Sequence, residues 1–222
     1  MKYASLMYST SNIGDNFQTI AAEQHLSVVN KKVNRDNLNQ VVESDKFVLI
    51  MNGWYTHDPE NWPPSESIIP VFIGFHIAET KRVQELLLND KSINYFKKHE
   101  PIGCRDKKTA ELLSDRGVKT YYSKCLTLTF PKREFNLTDG KVFLVDVDDI
   151  PIPKQFEEEA VQITHTIQRY YSDEIKTQIS KEILDKYKKE ARLVITTKLH
   201  SALPCIAFGI PVIFFGDPDD YR

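Results

Sequence analysis

Short apolar segments alternate with amphipathic segments along most of the chain, and this alternation constrains the fold more than any other feature. The first repeat is the clearest: residues 3–8 predict a strand, 9–14 a turn and 15–26 a helix with one apolar face. Repeated strand and helix units are typical of an α/β fold with parallel sheets. Further strands are predicted at 47–51, 69–75, 125–130, 142–147, 193–196 and 210–215. Further helices are predicted at 81–88, 92–98, 106–116, within 156–190 and at 199–208.

The pattern of apolar and polar residues changes after residue 130. Residues 131–140 are polar and suit a linker. We therefore predict an N-terminal half over 1–130, a linker over 131–140 and a C-terminal half over 141–222. Two parallel-sheet halves of this kind would bind ligands at the carboxyl ends of their strands.

Composition excludes several classes of protein. Of the 222 residues 41% are hydrophobic and 27% are charged, which indicates a folded chain rather than a disordered one. The formal net charge of −2 gives no overall basic field, so we expect no nucleic-acid partner. The N-terminus lacks the apolar run of a secretory signal, and the longest apolar stretch, 206–215, is about half of a membrane span. We expect a cytoplasmic protein, with peripheral membrane contact left open.

The sequence predicts no metal centre. The three cysteines, Cys104, Cys125 and Cys205, are widely spaced and fit neither a disulfide framework nor a zinc site, so we expect them to be reduced and buried. No histidine pair has metal-ligand spacing, and no serine-hydrolase elbow or phosphate-binding P-loop is present.

The turn between the first strand and the first helix is a candidate ligand site. Asn12, Gly14 and Asp15 lie where free backbone N–H groups and the helix dipole favour anions or polar ligands. Asp15 either caps the helix or accepts hydrogen bonds from sugar hydroxyls and acts as a base.

Two further segments carry cations at strand-to-helix junctions. Arg105 follows a short strand and could bind a carboxylate or phosphate with two hydrogen bonds, or form a surface ion pair beside a capping Asp106. Lys198 and His200 follow the buried strand 193–196 and open a helix, which suits an anion site. His200 could transfer a proton near neutral pH, or be a hydrogen-bonded core residue.

Two weaker candidates complete the set. His165 lies in a helical or strand-to-loop segment of the second half and could face the ligand cleft. Asn52 follows the strand 47–51, at the same kind of strand end as the stronger candidates.

At these residues the chain resembles the polysaccharide pyruvyl transferase family. The matching segments keep the family order and extend over nearly the whole chain. They are NIGDNFQ at 12–18, AAEQ at 21–24, RDKKT at 105–109, LL at 112–113, GV at 117–118, CLTLT at 125–129, ITTKLHSALP at 195–204 and GIPVI at 209–213.

The resemblance implies two Rossmann-like halves similar to the GT-B glycosyltransferase fold. It also implies transfer of a pyruvyl group from phosphoenolpyruvate, as co-substrate and without another cofactor, to hydroxyls of a polysaccharide precursor as a ketal. Arg105 and Lys198 would then bind the donor anion, and His200 would be the acid–base residue. Asn12, Gly14 and Asp15 would line the acceptor side. A lipid-linked saccharide at the membrane is compatible with this chemistry.

The chain departs from the family pattern in two places. Lys198 stands where the family usually has arginine, and lysine offers a point charge without the planar fork of a guanidinium. The second half is also expected to be short, because the chain ends soon after the predicted strand 210–215. Two alternatives therefore stay open: a nucleotide-sugar glycosyltransferase on the same scaffold, and a non-catalytic member that binds a glycan or a partner protein.

Overall fold

The computed structural model describes residues 1–55, 57–157 and 160–217. They form two compact units. The first unit comprises Met1–Tyr8 and Ala22–Leu126, and the second comprises Ser9–Ala21 and residues 127–217. Of the segments predicted from sequence, residues 158–159 and 218–222 lie outside the described residues.

The first unit is built on a parallel sheet of six strands. In spatial order the strands are β2 (Lys31–Asn34), β1 (Lys2–Met7), β3 (Phe47–Trp54), β4 (Ile68–His76), β5 (Ile102–Cys104) and β6 (Thr120–Tyr122). The connections contain α2 (Lys81–Leu87), α3 (Asp90–Lys98) and α4 (Lys107–Ser114). Strand-to-helix connections of this kind are what a parallel sheet requires.

An aromatic cluster joins α3 to the first sheet. Phe96 of α3 lies with its ring centroid 5.4 Å from those of both Trp62 and Phe75, and Phe72 packs 5.3 Å from Phe75. The side chain of Asn89 accepts a hydrogen bond from the backbone N–H of Ser92 and so begins the helix. Burial of these rings gives the first unit its own hydrophobic core.

The second unit contains a parallel sheet of four strands. Their spatial order is β10 (Val212–Phe214), β9 (Ala191–Thr196), β7 (Lys141–Val145) and β8 (Val161–Ile163). Its helices are α5 (Lys154–Glu157), α6 (Asp173–Glu190) and α7 (Leu199–Phe208), together with most of α1 (Gly14–Glu23). The ring of Tyr187 on α6 meets that of Phe143 on β7 edge to face, 5.5 Å apart, and both are fully buried.

Helix α7 ends at Gly209, as the sequence predicts. Gly209 has φ of 77°, a left-handed conformation that glycine adopts without a steric penalty. A Cβ there would also lie 2.9 Å from the Cε of Lys132, whose flexible side chain would have to shift.

The predicted α/β class with two Rossmann-like parallel-sheet halves is confirmed. Two local predictions are wrong. Residues 125–130 do not form a strand, because Leu126–Thr129 form a 3-10 helix instead. Residues with high strand propensity form a strand only where a neighbouring strand can pair with them. The segment predicted as helix within 156–190 contains the short strand β8 before α6 begins.

Residues 131–140 form neither helix nor strand. The linker and the domain bounds drawn from the sequence stay predictions. Among the described residues, no helix combines the length and the apolar character needed to cross a membrane.

Candidate functional site

Three strand ends of the second sheet are connected through Asp146, the residue after β7. Its carboxylate Oδ2 accepts a hydrogen bond from the backbone N–H of His165, after β8, at 3.0 Å. Its carbonyl accepts one from the hydroxyl of Thr197, after β9, at 2.7 Å. Asp146 has φ of 50°, a conformation that aspartate tolerates better than most residues. The carboxyl ends of β7, β8 and β9 are therefore held together, at the edge where parallel sheets bind ligands.

The turn before α1 is attached to the loop after β8. The N–H of Ile13 donates to the carbonyl of His165 at 3.0 Å, and Asn12 forms an antiparallel bridge with Thr166. The side-chain oxygen of Asn12 accepts a hydrogen bond from the N–H of Gly14 at 2.9 Å. These backbone contacts explain why residues 9–21 belong to the second unit although they are far from it in sequence.

His200 lies directly against Gly14. A Cβ atom at Gly14 would be 3.0 Å from the Cβ and 3.5 Å from the Nδ1 of His200, so glycine permits this approach without crowding. Gly14 opens α1, and His200 lies in the first turn of α7. The structure thus brings the beginnings of two helices together with an imidazole between them.

Lys198 lies immediately before α7. Its N–H donates to the hydroxyl of Thr196 at 2.9 Å, and its carbonyl accepts from the N–H groups of Ser201 and Ala202. N–H groups at the very start of a helix, before those that bind the Lys198 carbonyl, have no carbonyl partner within the helix, and the helix dipole adds partial positive charge there. The ammonium group of Lys198 adds a full charge, so this end of α7 suits an anion.

Asp15 lies within the first turn of α1 rather than at its cap, because the helix begins at Gly14. The side chain is 4% exposed. Its carboxylate accepts hydrogen bonds from the Thr10 hydroxyl at 3.1 Å and from the Gln18 amide at 3.3 Å. These contacts hold the turn that carries Asn12 and Gly14, and the role of Asp15 toward an acceptor stays a prediction.

His165 is the most deeply buried histidine of the second unit, with 1% of its surface exposed. Its Nε2 forms a 2.8 Å hydrogen bond with the hydroxyl of Tyr187, and its ring contacts Phe17 edge to face at 5.0 Å. Burial lowers the pKa of His165 to about 4, although the nearby carboxylate of Asp146 acts in the opposite direction. The imidazole is therefore neutral near pH 7, and its contacts fit a positioning residue.

Arg105 and Asn52 lie at the carboxyl edge of the sheet in the first unit. Arg105 follows β5, is 6% exposed, and donates its backbone N–H to the carbonyl of Phe75 at 2.8 Å. Asn52 is buried near the end of β3, and its Cβ is 3.7 Å from where a Cβ of Gly74 would lie. The role of Arg105 in donor binding and the place of Asn52 in a ligand site stay predictions.

Comparison with known proteins identifies the family of this chain. Residues 12–219 match the family model of polysaccharide pyruvyl transferase. The chain belongs to this family. The match includes every candidate residue named above, from Asn12 to His200.

A crystal structure of a functionally uncharacterized protein from Klebsiella pneumoniae is similar to this chain. The sequence identity is 14%, the match covers 98% of this chain and 84% of that chain, and the TM-score is 0.58. At this identity the similarity shows that the two proteins share a fold and carries no information on function. No curated protein matches the chain significantly.

Asp106 has a structural role in this family member. It caps α4 by accepting from the N–H of Thr109 at 2.7 Å, and its Oδ2 lies 2.6 Å from the Nδ1 of His76. Only 2% of the residue is exposed, so the surface ion pair considered from the sequence is replaced by a buried contact with His76. Burial alone would raise the pKa of Asp106, but the hydrogen bonds from His76 and Thr109 outweigh it and lower the pKa.

We expect Asp106→Asn to destabilise the protein by about 2 kcal/mol near pH 6, the usual size of a hydrogen bond to a charged group. Asparagine can still cap the helix, so the substitution measures the effect of removing the carboxylate charge alone. Because the folded-state pKa is depressed, the stabilisation is present above the unfolded-state value and is lost as the pH falls through the folded-state value. Urea unfolding of wild type and variant from pH 2.5 to 6 measures this.

The matched control is Asp115→Asn at the other end of α4, where the residue is exposed. That variant should differ from wild type by no more than about 0.5 kcal/mol. A difference between wild type and Asp106→Asn that persists unchanged at pH 2.5 would contradict the assignment.

Proposed function

We propose that this chain transfers the pyruvyl group of phosphoenolpyruvate to two hydroxyls of a saccharide, forming a ketal and releasing phosphate. The observation that supports the proposal most is the contact of His200, in the first turn of α7, with Gly14, the first residue of α1; Lys198 immediately precedes α7. Membership in the polysaccharide pyruvyl transferase family supports the same reaction class.

The reaction defines what the site must supply. One proton adds to the terminal vinyl carbon of the donor and converts it to a methyl group. Two hydroxyl oxygens form bonds to the neighbouring carbon, whose bond to the phosphate oxygen breaks. Of the two hydroxyl protons, one balances the proton taken up by carbon and the other leaves with phosphate. Such a reaction needs a proton-transfer group and cations that stabilise the anionic donor.

The residues around the start of α7 meet these needs in our proposal. Lys198 and the first-turn N–H groups bind an anionic group of the donor, and His200 transfers a proton. Asn12, Gly14 and Asp15 line the acceptor side. The expectation from the family resemblance that Arg105 binds the donor anion stays a prediction.

Donor binding can be measured through thermal unfolding, because a ligand that binds only the folded state stabilises it. Phosphoenolpyruvate at 100 times its dissociation constant should stabilise the wild type by about 2.7 kcal/mol. We expect Lys198→Gln to require about tenfold more phosphoenolpyruvate for the same shift, because a charge-assisted contact is lost. Lys198→Arg should retain binding, since the charge is kept.

The control for this experiment is Lys181→Gln, which removes an exposed lysine of α6 in the same unit. It should respond to phosphoenolpyruvate as the wild type does. The proposal is wrong if phosphoenolpyruvate gives no shift with folded wild type, or the same shift with Lys198→Gln. A shift produced by a nucleotide sugar alone would instead favour a glycosyltransferase.

A further inference from the structure

A cavity of about 400 Å³ lies in the first unit, where β3 and β4 begin. Lys46 precedes the first residue of β3, and Ile68 is the first residue of β4. In a parallel sheet the amino ends of all strands lie at one edge and the carboxyl ends at the other. The amino ends of β3 and β4 therefore lie at the opposite edge from Arg105, which follows the carboxyl end of β5. The cavity is therefore distinct from the candidate site, and its volume falls within the roughly 300 to 1,000 Å³ of small-molecule sites.

Positive charge surrounds this cavity. Lys46, Lys91 and Lys98 line it against a single carboxylate, that of Glu66. Lys91 and Lys98 are seven residues apart on α3, which is two helical turns and places them on one face. Within the described part of the chain, none of the three lysines forms an ion pair with an acidic residue. The cavity thus offers three unneutralised cations to a ligand.

The wall of the cavity is apolar and aromatic. Pro64 and Ile68 are buried there, and the ring of Tyr95 is held between Trp62, at 5.7 Å, and His99, at 4.7 Å. Proline and aromatic surfaces of this kind suit a flat apolar group. A simple inorganic anion would leave this surface unused.

Two lining side chains also carry unsatisfied polar atoms. The hydroxyls of Ser65 and Tyr95 are buried, and within the described residues neither has a hydrogen-bond partner. Buried polar groups in proteins are nearly always hydrogen-bonded, to protein, to water or to a ligand. Two such hydroxyls beside one cavity are compatible with water or a ligand supplying their hydrogen bonds.

We propose that this cavity binds an organic phosphate, with the phosphate facing Lys46, Lys91 and Lys98 and an apolar ring lying against Pro64 and Tyr95. The three lysine charges are the reason to expect an anionic group, and the surface of Pro64 and Tyr95 is the reason to expect an apolar ring. The proposal does not depend on the transferase reaction, because its residues lie at the opposite edge of the sheet from Arg105 and in a different unit from His200.

Phenyl phosphate is the probe that combines both parts, and calorimetric titration of the full chain measures its binding. It should bind about tenfold more tightly than phenol or inorganic phosphate, because ring burial and charge act together. Lys91→Gln/Lys98→Gln should weaken it about fivefold, the effect of two partly solvated charges. Both lysines are exposed, so the double variant should fold, and its circular dichroism and melting temperature check this.

The charge-matched control is Lys97→Gln/Lys107→Gln, which removes two exposed lysines that do not line the cavity. It should bind phenyl phosphate as wild type does. Amide shifts in NMR spectra should concentrate in residues 63–69 and 91–99. Absence of saturable binding, equal binding of inorganic phosphate, unchanged binding by the cavity variant, or absence of amide shifts from residues 63–69 and 91–99 would each overturn the proposal.

Discussion

His200→Gln is expected to lower the rate of pyruvyl transfer by about 10²- to 10⁴-fold, the usual contribution of a positioned acid or base. Glutamine retains hydrogen-bonding atoms and approximate length but cannot be protonated near neutral pH. The contact with Gly14 is made through the Cβ and Nδ1 of His200, so a side chain of similar size keeps the packing. Phosphate release from phosphoenolpyruvate in the presence of a saccharide acceptor measures the rate.

Two further measurements separate a catalytic role of His200 from a structural one. Thermal shift with phosphoenolpyruvate should be nearly unchanged in His200→Gln, because the donor anion is assigned to Lys198. His25→Gln replaces an exposed histidine of the first unit and should keep full activity. If His200→Gln turned over at the wild-type rate in the same assay, the acid–base assignment would fail.

The segment from β9 through α7 shows what the sequence determines locally. An apolar strand, a polar turn and a helix ending in glycine follow one another within twenty residues, and the helix predicted at 199–208 coincides with the one observed. Each of these predictions depends only on residues that are close in sequence. Hydrophobic spacing predicts the strand and the helix, and a glycine that can adopt the left-handed conformation predicts the end of the helix. Local patterns therefore predicted the element that carries Lys198 and His200.

Asp146 and the placement of residues 9–21 could not be found in this way. The bridge between Asn12 and Thr166 joins positions 154 residues apart, and hydrophobic periodicity contains no information on such pairing. Strand β8 has only three residues, too few for a two-residue alternation to be recognised. Asp146 follows the buried apolar strand β7. An acidic residue at the carboxyl end of such a strand is the one sequence signal that could have identified Asp146 as a site residue.

The unfolding free energy of the wild type is expected to fall by about 3 kcal/mol between pH 7.5 and 4 through the titration of His165 alone. Burial places the folded-state pKa of this histidine at about 4, below the usual 6.5 of an unfolded chain. Between these values the unfolded state binds a proton that the folded state does not. Stability is therefore retained above pH 6.5 and lost progressively as the pH falls toward 4.

His165→Gln removes this titration while leaving a polar group near the hydroxyl of Tyr187, with which Nε2 forms its hydrogen bond. The variant should be less stable than wild type at pH 7.5, because the fit against Phe17 is lost. The difference in unfolding free energy between wild type and variant should then shift by about 3 kcal/mol in favour of the variant at pH 4. His25→Gln, an exposed control, should follow the wild-type curve. Parallel curves for wild type and His165→Gln over this range would mean that the pKa of His165 is not lowered in the folded state, and its assignment as a buried neutral imidazole would then be wrong.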